Sequence, residues 1–526
     1  MSMRRRMVAA GLISILPVIS CGAVPPISSQ AIDRTVARSL QAFDVPGMAV
    51  GIVKDGKLVF AKGYGVREQG KPEPVGTRTL FQIGSNTKAF TAAALAMLID
   101  EGKLRWDDRV IDYLPQFRLY DPYVTRELTI RDLLSHRSGL GTGAGDLMFF
   151  PETDFTREEL IRGLRHLKPV TSFRSQYDYD NVLYVVAGEL IAAVSGQDWE
   201  DFVANRILSP LGMSSCAPTY ERVADKSDMA SPHVLVDGHL KTIPVEKLQL
   251  TAAAGAVICS IDGMAKWLQA QLSQGRGPKG RPLFSAERSS EMWSMNTVKP
   301  IQPELAALTQ THFAGYGLGW ELRDSFGRKI VSHTGGVPGT VTWISLVPEL
   351  QLGVMVFTNQ QSGVAMEVVG NQILDAYLQA PKRDWVEMGV AFATRRSAYA
   401  KVVEDEARKV SASASLPALS LEAYAGCYMD AWRGAAIVRR EGDALILKFS
   451  RTDRLEGTLH PFRGNIFIVR WTDRSLDADA YVRFDQGFDR DIERMSMQAL
   501  SPATDFSFDF QDLDFRRDES CSGVKQ

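Results

Sequence analysis

Cysteine and histidine are scarce in this chain: five and seven among 526 residues. The histidines are scattered, and neither residue type recurs at the short spacings of a zinc site. Charge of one sign is also lacking. Sixty Lys and Arg stand against 62 Asp and Glu, a net charge of −2, so no global basic field points to nucleic acid. The apolar run at residues 7–19 is too short for a comfortable membrane span. Following Arg4-Arg5-Arg6, it has instead the make-up of an export signal, residues 1–27, to be set aside from the fold. Val18-Ile19-Ser20-Cys21 resembles a bacterial lipobox, which would make Cys21 a lipidated N-terminus; an ordinary signal cleaved just after Cys21 is the other reading. The expectation is an exported, periplasmic protein that a lipid at Cys21 would tether to the membrane. Cys216, Cys259, Cys427 and Cys521 are far apart in sequence, so four unpaired, mostly buried thiols are expected.

What is present is a globular composition, 45% hydrophobic and 23% charged, on a chain long enough for more than one domain. Residues 47–53 and 58–64 read as strands joined through Asp55-Gly56, a hairpin signal. Residues 87–98, rich in Ala, Leu and Met, read as a helix that stops at Glu101-Gly102. Helical periodicity runs through residues 130–272. Residues 340–347 and 352–358 read as a second hairpin across Pro348-Glu349-Leu350, and 364–378 as a helix. Strands at both ends with helices between them fit a sheet assembled from both chain ends, with a helical lobe inserted. A charged helical stretch follows at 385–409, then a Ser/Ala linker at 411–415 before Pro417. Residues 435–438, 444–449, 466–471 and 480–484 are short apolar strands at regular spacing, the rhythm of a small antiparallel sandwich or barrel.

Three clusters carry the chemistry. In Ser85-Asn86-Thr87-Lys88 a serine opens a helix and a lysine follows three residues on, over the same face. The helix start offers positive potential and free N–H groups, and a desolvated lysine loses pKa and becomes a base for the hydroxyl. Tyr179 and Asn181 flank Asp180 on a loop before an expected helix at 182–194, where alternate positions point into one cleft. The phenol is a proton shuttle if lysine charge lowers its pKa, and the amide can hold a substrate carbonyl and the lysine together. His333-Thr334-Gly335-Gly336 follows apolar Ile330-Val331 and would line an edge strand, its glycines allowing close approach of a substrate. A backbone N–H there, opposite that of Ser85, would then form an oxyanion hole. Each cluster alone is weak: Ser522-Gly-Val-Lys525 repeats the first by accident in the polar tail.

Together and in this order the clusters resemble the serine β-lactamase and penicillin-binding-protein superfamily, in particular class C β-lactamases, DD-peptidases and related esterases. The run Leu-Leu-Ser-His-Arg-Ser-Gly-Leu at 133–140, Pro-Leu-Gly-Met at 210–213, Tyr-Gly-Leu-Gly-Trp at 316–320 and His-Thr-Gly-Gly-Val-Pro-Gly at 333–339 agree with it. The resemblance implies an α+β sandwich over residues 28–380. Residues 381–417 read as a helical linker, and through Tyr424-Ala-Gly-Cys-Tyr428 the tail at 418–517 resembles a lipocalin-like β barrel, non-catalytic in the family, that would shape the site entrance or assembly into oligomers; an independent β module is the other reading. Carried over by position, Ser85 attacks, Lys88 and Tyr179 exchange its proton, Asn181, His333, Thr334, Gly335 and Gly336 seat the substrate, and the N–H groups of Ser85 and Gly336 hold the oxyanion. No metal or cofactor is needed. No motif supplies the separate deacylating glutamate of class A enzymes. Efficient β-lactamases usually begin the third motif with lysine; His333 is mostly neutral at pH 7. That favours an ester or a D-amino-acid amide or peptide as substrate, with a slow-turnover penicillin-binding sensor or a weak class C-like β-lactamase as alternatives.

Overall fold

A computed structural model describes residues 26–412 and 417–523. Residues 1–25 of the expected export signal, Cys21 among them, residues 413–416 of the linker, and Lys525 lie outside the described residues.

An eight-stranded antiparallel sheet is built from both ends of the first 380 residues. Its order is Lys57–Gly65, Gly47–Lys54, Leu352–Thr358, Thr340–Val347, Arg328–Val337, Glu321–Ser325, Ala314–Tyr316 and Thr297–Val298. The first hairpin turns through Asp55 (φ +50°) and Gly56 (φ +73°), the left-handed pair that a two-residue hairpin demands. Its inner strand then lies against the far end of the domain, with Val50 opposite Val356. Alternation along Gly47–Lys54 sorts the faces. Met48, Val50 and Ile52 pack with Ile32, Val36, Val369 and Ile373 of the helices Ser29–Ala42 and Gly363–Leu378. Ala49 and Val53 face the inserted helical lobe. Both faces are covered, so the strand is buried from Gly47 to Val53 and the domain is a helix–sheet–helix sandwich.

The helix Lys88–Asp100 is the axis of the lobe. Every residue from Lys88 to Leu98 is buried, as expected of a helix apolar all round. Around it run Ile130–Leu134, Arg157–Gly163, Val182–Ser195, Trp199–Val203 and Ile261–Leu272. The helical reading of 130–272 misses the short strand Ile258–Cys259, paired with Phe81–Gln82, and a hairpin of His233–Val236 and His239–Thr242 turned by Asp237 and Gly238. Its strands have four residues each, too short to leave a period.

The expected free thiols are wrong. Cys216 pairs with Cys259, and Cys427 with Cys521, across 43 and 94 residues of sequence. Folding brings together what spacing hid. The second bond ties the first strand of the C-terminal domain to the segment after its last. That domain is a closed barrel of eight antiparallel strands between Gly426 and Arg517. Tyr428, Phe449, Phe467, Trp471, Phe484 and Phe515 are buried in its core, so its interior is packed with side chains. Before it, the helix Trp385–Ala412 lies along Gly363–Leu378, where Gly389 fits closely against Val364 and Val368. The barrel is seated on the lobe by charge: Arg451 pairs with Asp154 and Glu159, and Arg454 with Glu246 at 3.0 Å.

Candidate active site

Ser85 sits on a 3₁₀ turn, Gly84–Thr87, that runs directly into the buried helix. The turn is pinned to the sheet. Buried Asn86 donates to Thr342 Oγ1 at 2.9 Å, and Thr342 donates to the carbonyl of Ile83 at 2.8 Å. Gly84 takes φ +53°, and a Cβ there would lie 2.7 Å from the nitrogen of Gly336. Only glycine lets the serine turn and the third-motif strand come this close.

Lys88 is fully buried and makes three contacts through Nζ: Ser85 Oγ at 3.1 Å, Asn181 Oδ1 at 2.7 Å and the Ala254 carbonyl at 3.1 Å. Burial pushes its pKa down to about 7, against the pull of Asp146 and Asp180. A free amine has two N–H bonds and one lone pair. Asn181 Oδ1 and the Ala254 carbonyl accept the two hydrogens, so the lone pair is left for Ser85. Tyr179 donates from its hydroxyl to Ser85 Oγ at 2.7 Å. The serine thus accepts from the phenol while its own proton is directed at the lysine.

Tyr179 and Asn181 do point into one cleft, as their alternate spacing predicts, and Asp180 between them is buried elsewhere, near Ser138. The phenol departs from expectation. Burial raises its pKa well above the ordinary value instead of nearby charge lowering it. Tyr179 is thus a neutral hydroxyl, and the amine of Lys88 is the group beside Ser85 that can take up a proton near neutral pH.

The third motif lies on the strand Arg328–Val337, paired with Glu321–Ser325 only as far as Ser332, which leaves one edge of residues 333–337 free. Thr334 and Gly336 face outwards; His333 and Gly335 face in. A Cβ on Gly335 would meet the Ile83 carbonyl at 1.8 Å, whereas one on Gly336 would meet nothing within 4 Å. Gly335 therefore allows the strand to close on the serine turn, and Gly336 borders the open cleft. His333 is buried at the edge of that cleft, its ring centroid 6.4 Å from that of Tyr179. Its Nδ1 lies 2.6 Å from the Thr334 carbonyl, an acceptor only, so it carries the proton, and Nε2 accepts from Tyr316 at 2.7 Å. Burial pushes its pKa down to about 4. The ring is neutral with both nitrogens engaged.

Several neighbours have no motif to announce them. Asp146 is fully buried and accepts from Asn181 Nδ2 at 2.8 Å. Ser507, from the barrel, donates to the same carboxylate oxygen at 2.8 Å. Phe506, also from the barrel, stands edge-on to Tyr179 with ring centroids 5.6 Å apart. Tyr316 lies within a motif quoted above, but its contact with His333 depends on strand pairing. Among the described residues no group of three or more His, Cys, Asp or Glu side chains is arranged to hold a metal ion.

A serine at the start of a buried helix, a lysine one turn in, and a glycine-bearing strand edge beside them define a serine acyl-transfer architecture on a helix–sheet–helix sandwich. The family described as Beta-lactamase matches residues 32–378, and this chain belongs to it. A second family, described as a domain of unknown function, matches residues 411–517. An "Unguisins hydrolase" of Aspergillus campestris is 32% identical over 343 residues, 62% of this chain and 60% of that protein. Another, of Aspergillus violaceofuscus, is 28% identical over 458 residues, 79% and 78% of the two chains. "Penicillin-binding protein 4" of Amycolatopsis lactamdurans is 30% identical over 332 residues, 61% and 82%. This chain therefore spans less than two thirds of the first of these relatives. Among solved structures, an octameric penicillin-binding protein homologue from Pyrococcus abyssi superposes with a TM-score of 0.61 at 23% identity, covering 93% of this chain and all of that one. A class C β-lactamase from Rhodobacter sphaeroides gives 0.54 at 21%, covering 67% and 100%. At these identities the likeness is one of fold.

Proposed function

We propose that the protein is an exported serine hydrolase that forms an acyl-enzyme at Ser85 and cleaves an ester or a D-amino-acid amide or peptide bond. The observation that carries this reading is the closed set of contacts around Ser85 Oγ, with an acceptor amine on one side and a donor phenol on the other. Lys88 takes the serine proton as Oγ bonds to the substrate carbonyl carbon. The N–H groups of Ser85 and Gly336 hold the oxyanion, a donor pair whose members each typically contribute about 3 kcal/mol. The proton passes through Tyr179 to the leaving oxygen or nitrogen as that bond breaks. Water, deprotonated by the same pair, then releases the acid and regenerates Ser85.

His333 argues for the substrate class. It is neutral, buried and occupied by Tyr316 and Thr334, so no cation at that position seeks a carboxylate. Export is supported by the two disulfides, which persist in oxidising compartments, together with the charged and apolar N-terminal run; lipidation at Cys21 belongs to the same reading. Self-association is supported by the exposed Phe392, Tyr399 and Val402 along one helix, and light scattering of the purified protein tests it. For the activity, a short-chain nitrophenyl ester, a D-alanine anilide and a chromogenic cephalosporin are compared on wild type and Ser85→Ala. Turnover of the first or second, lost in the variant, is expected. Turnover that survives the substitution overturns the assignment. A stable penicillin adduct with no turnover of any of the three would place the protein with slow acylating binders.

A further inference from the structure

The loop that carries Asp146 is gripped by the barrel at three consecutive residues. Asp509, fully buried, accepts from the backbone N–H of Gly145 at 2.6 Å through one carboxylate oxygen and from that of Leu147 at 3.1 Å through the other. Between them, Ser507 donates to the side chain of Asp146. Nearby, the Phe506 carbonyl lies where a Cβ on Gly143 would be, 2.3 Å away, and Phe508 stacks edge-on against Phe150 at 5.1 Å. The N–H of Gly143 in turn donates to the Tyr179 carbonyl at 2.8 Å. Residues 143–147 are thus held between the barrel segment 506–509 and the second catalytic motif, although 361 residues of sequence separate Ser507 from Asp146.

We propose that Ser507 and Asp146 are positioning residues for Asn181, so that the barrel completes the acylation machinery. The inference rests on the serine hydrolase reading above. A side-chain amide has two ends of similar shape and opposite hydrogen-bonding sense. Here its NH₂ group faces Asp146 and its oxygen faces Lys88. At the NH₂ end Asp146 Oδ2 accepts from both Asn181 Nδ2 and Ser507, which leaves any carboxyl proton to the other oxygen; the atom facing the amide is an acceptor in either protonation state and sets which way the amide lies. With the amide reversed, its N–H bonds would oppose those of Lys88. The amine would lose one of its two acceptors, and its lone pair would no longer be committed to Ser85. Asp146 is itself held by Ser507 at the side chain and by Asp509 through the amides on either side. The barrel is therefore coupled to the base through one unbroken chain: Ser507, Asp146, Asn181, Lys88.

The test uses full-length protein: wild type, Ser507→Ala, Ser507→Thr, Asn181→Ala and the Ser507→Ala/Asn181→Ala double variant. The rate of covalent labelling by a fluorophosphonate probe and the kcat and KM for a nitrophenyl ester are measured, with thermal unfolding of each. Ser507→Ala is expected to slow labelling and kcat about tenfold with KM little changed. Ser507→Thr, which keeps the hydroxyl, should recover to within about twofold of wild type. In the Asn181→Ala background Ser507→Ala should change the rate less than about twofold, since there is no amide left to orient. Wild-type rates in Ser507→Ala, or equal slowing on both backgrounds, overturn the proposal while leaving the hydrolase reading intact. If wild type takes no label, the hydrolase reading falls instead. The positioning role is then decided by the titration midpoint of Lys88, followed by NMR of ¹⁵N-labelled lysine: a midpoint moved by Ser507→Ala supports it, and an unchanged one overturns it.

Discussion

Acylation should carry an ionisation near pH 7 that belongs to Lys88. The lysine acts as a base only as the free amine, and burial lowers its pKa from 10.5 to about 7. At pH 7 an ordinary lysine holds roughly one free amine in 3,000, whereas a pKa near 7 raises that to about half. The sign follows: a lowered pKa means the active form gains as pH rises, so the rate climbs from acid to neutral and levels off above about pH 8. Between pH 6 and pH 8 the free fraction goes from about 9% to about 91%, which sets a rise of about tenfold. Two groups facing Lys88 titrate in the same window. Burial raises Asp146 to about 8 and Asp180 to about 7. As each ionises it pulls the lysine upwards, so the limb should be broader than that of a single group. The Asn181→Asp variant puts a further carboxylate where Asn181 Oδ1 lies, 2.7 Å from Nζ. It should move the limb towards alkaline pH by about one to two pH units. The assay is stopped-flow burst kinetics with a nitrophenyl ester across pH 5 to 9, on both proteins. A wild-type rate flat across pH 6 to 8, or a limb that Asn181→Asp leaves in place, refutes Lys88 as the base.

Gly335→Ala drives a methyl group to 1.8 Å from the Ile83 carbonyl. It should separate the strand edge from the serine turn and abolish probe labelling, with a loss of at least about 1–3 kcal/mol in denaturant unfolding. His333→Lys removes the acceptor of the Tyr316 hydroxyl and adds a cation at the cleft edge. Stability should fall by about 1–3 kcal/mol, while the ratio of kcat/KM for a carboxylate-bearing cephalosporin over that for a neutral ester should rise, read from initial rates. Cys427→Ser opens a 94-residue closure across the barrel ends; the chain-entropy argument gives a loss of about 4–5 kcal/mol, read as a lower unfolding midpoint, and reductant, which opens both disulfides, should lower the wild-type midpoint at least as far.

The parts of this molecule that local sequence specifies were legible in it. The Asp55-Gly56 turn needs two left-handed residues and has them. The run from Lys88 to Leu98 can only be a buried helix. Rhythm announces four of the eight barrel strands; of the others, Glu456–Arg463 is interrupted by Pro461, Ile492–Ala499 mixes charge with apolar residues, and Gly426–Asp430 and Phe515–Arg517 have only five and three residues. The contact of Ser85 with Lys88 follows from helical spacing, whereas those with Tyr179 and Asn181, 94 and 93 residues away from their partners, are legible only through the family resemblance. What stayed hidden depends on tertiary approach. Asp146 reads as one more acidic loop residue until Asn181 and Ser507 converge on it. His333 reads as a histidine facing substrate until the strand pairing sets Tyr316 beside it. Neither disulfide can be read from spacing, because the pairing belongs to the fold and not to the local chain.

The central claim is a covalent acyl group on Ser85, and mass spectrometry of the protein quenched during turnover of a slow ester tests it most directly. The account predicts a mass increase equal to the acyl group, confined to the peptide containing Ser85 and absent from Ser85→Ala. An adduct mapped to another residue, or hydrolysis that proceeds with no adduct and survives Ser85→Ala, would contradict it.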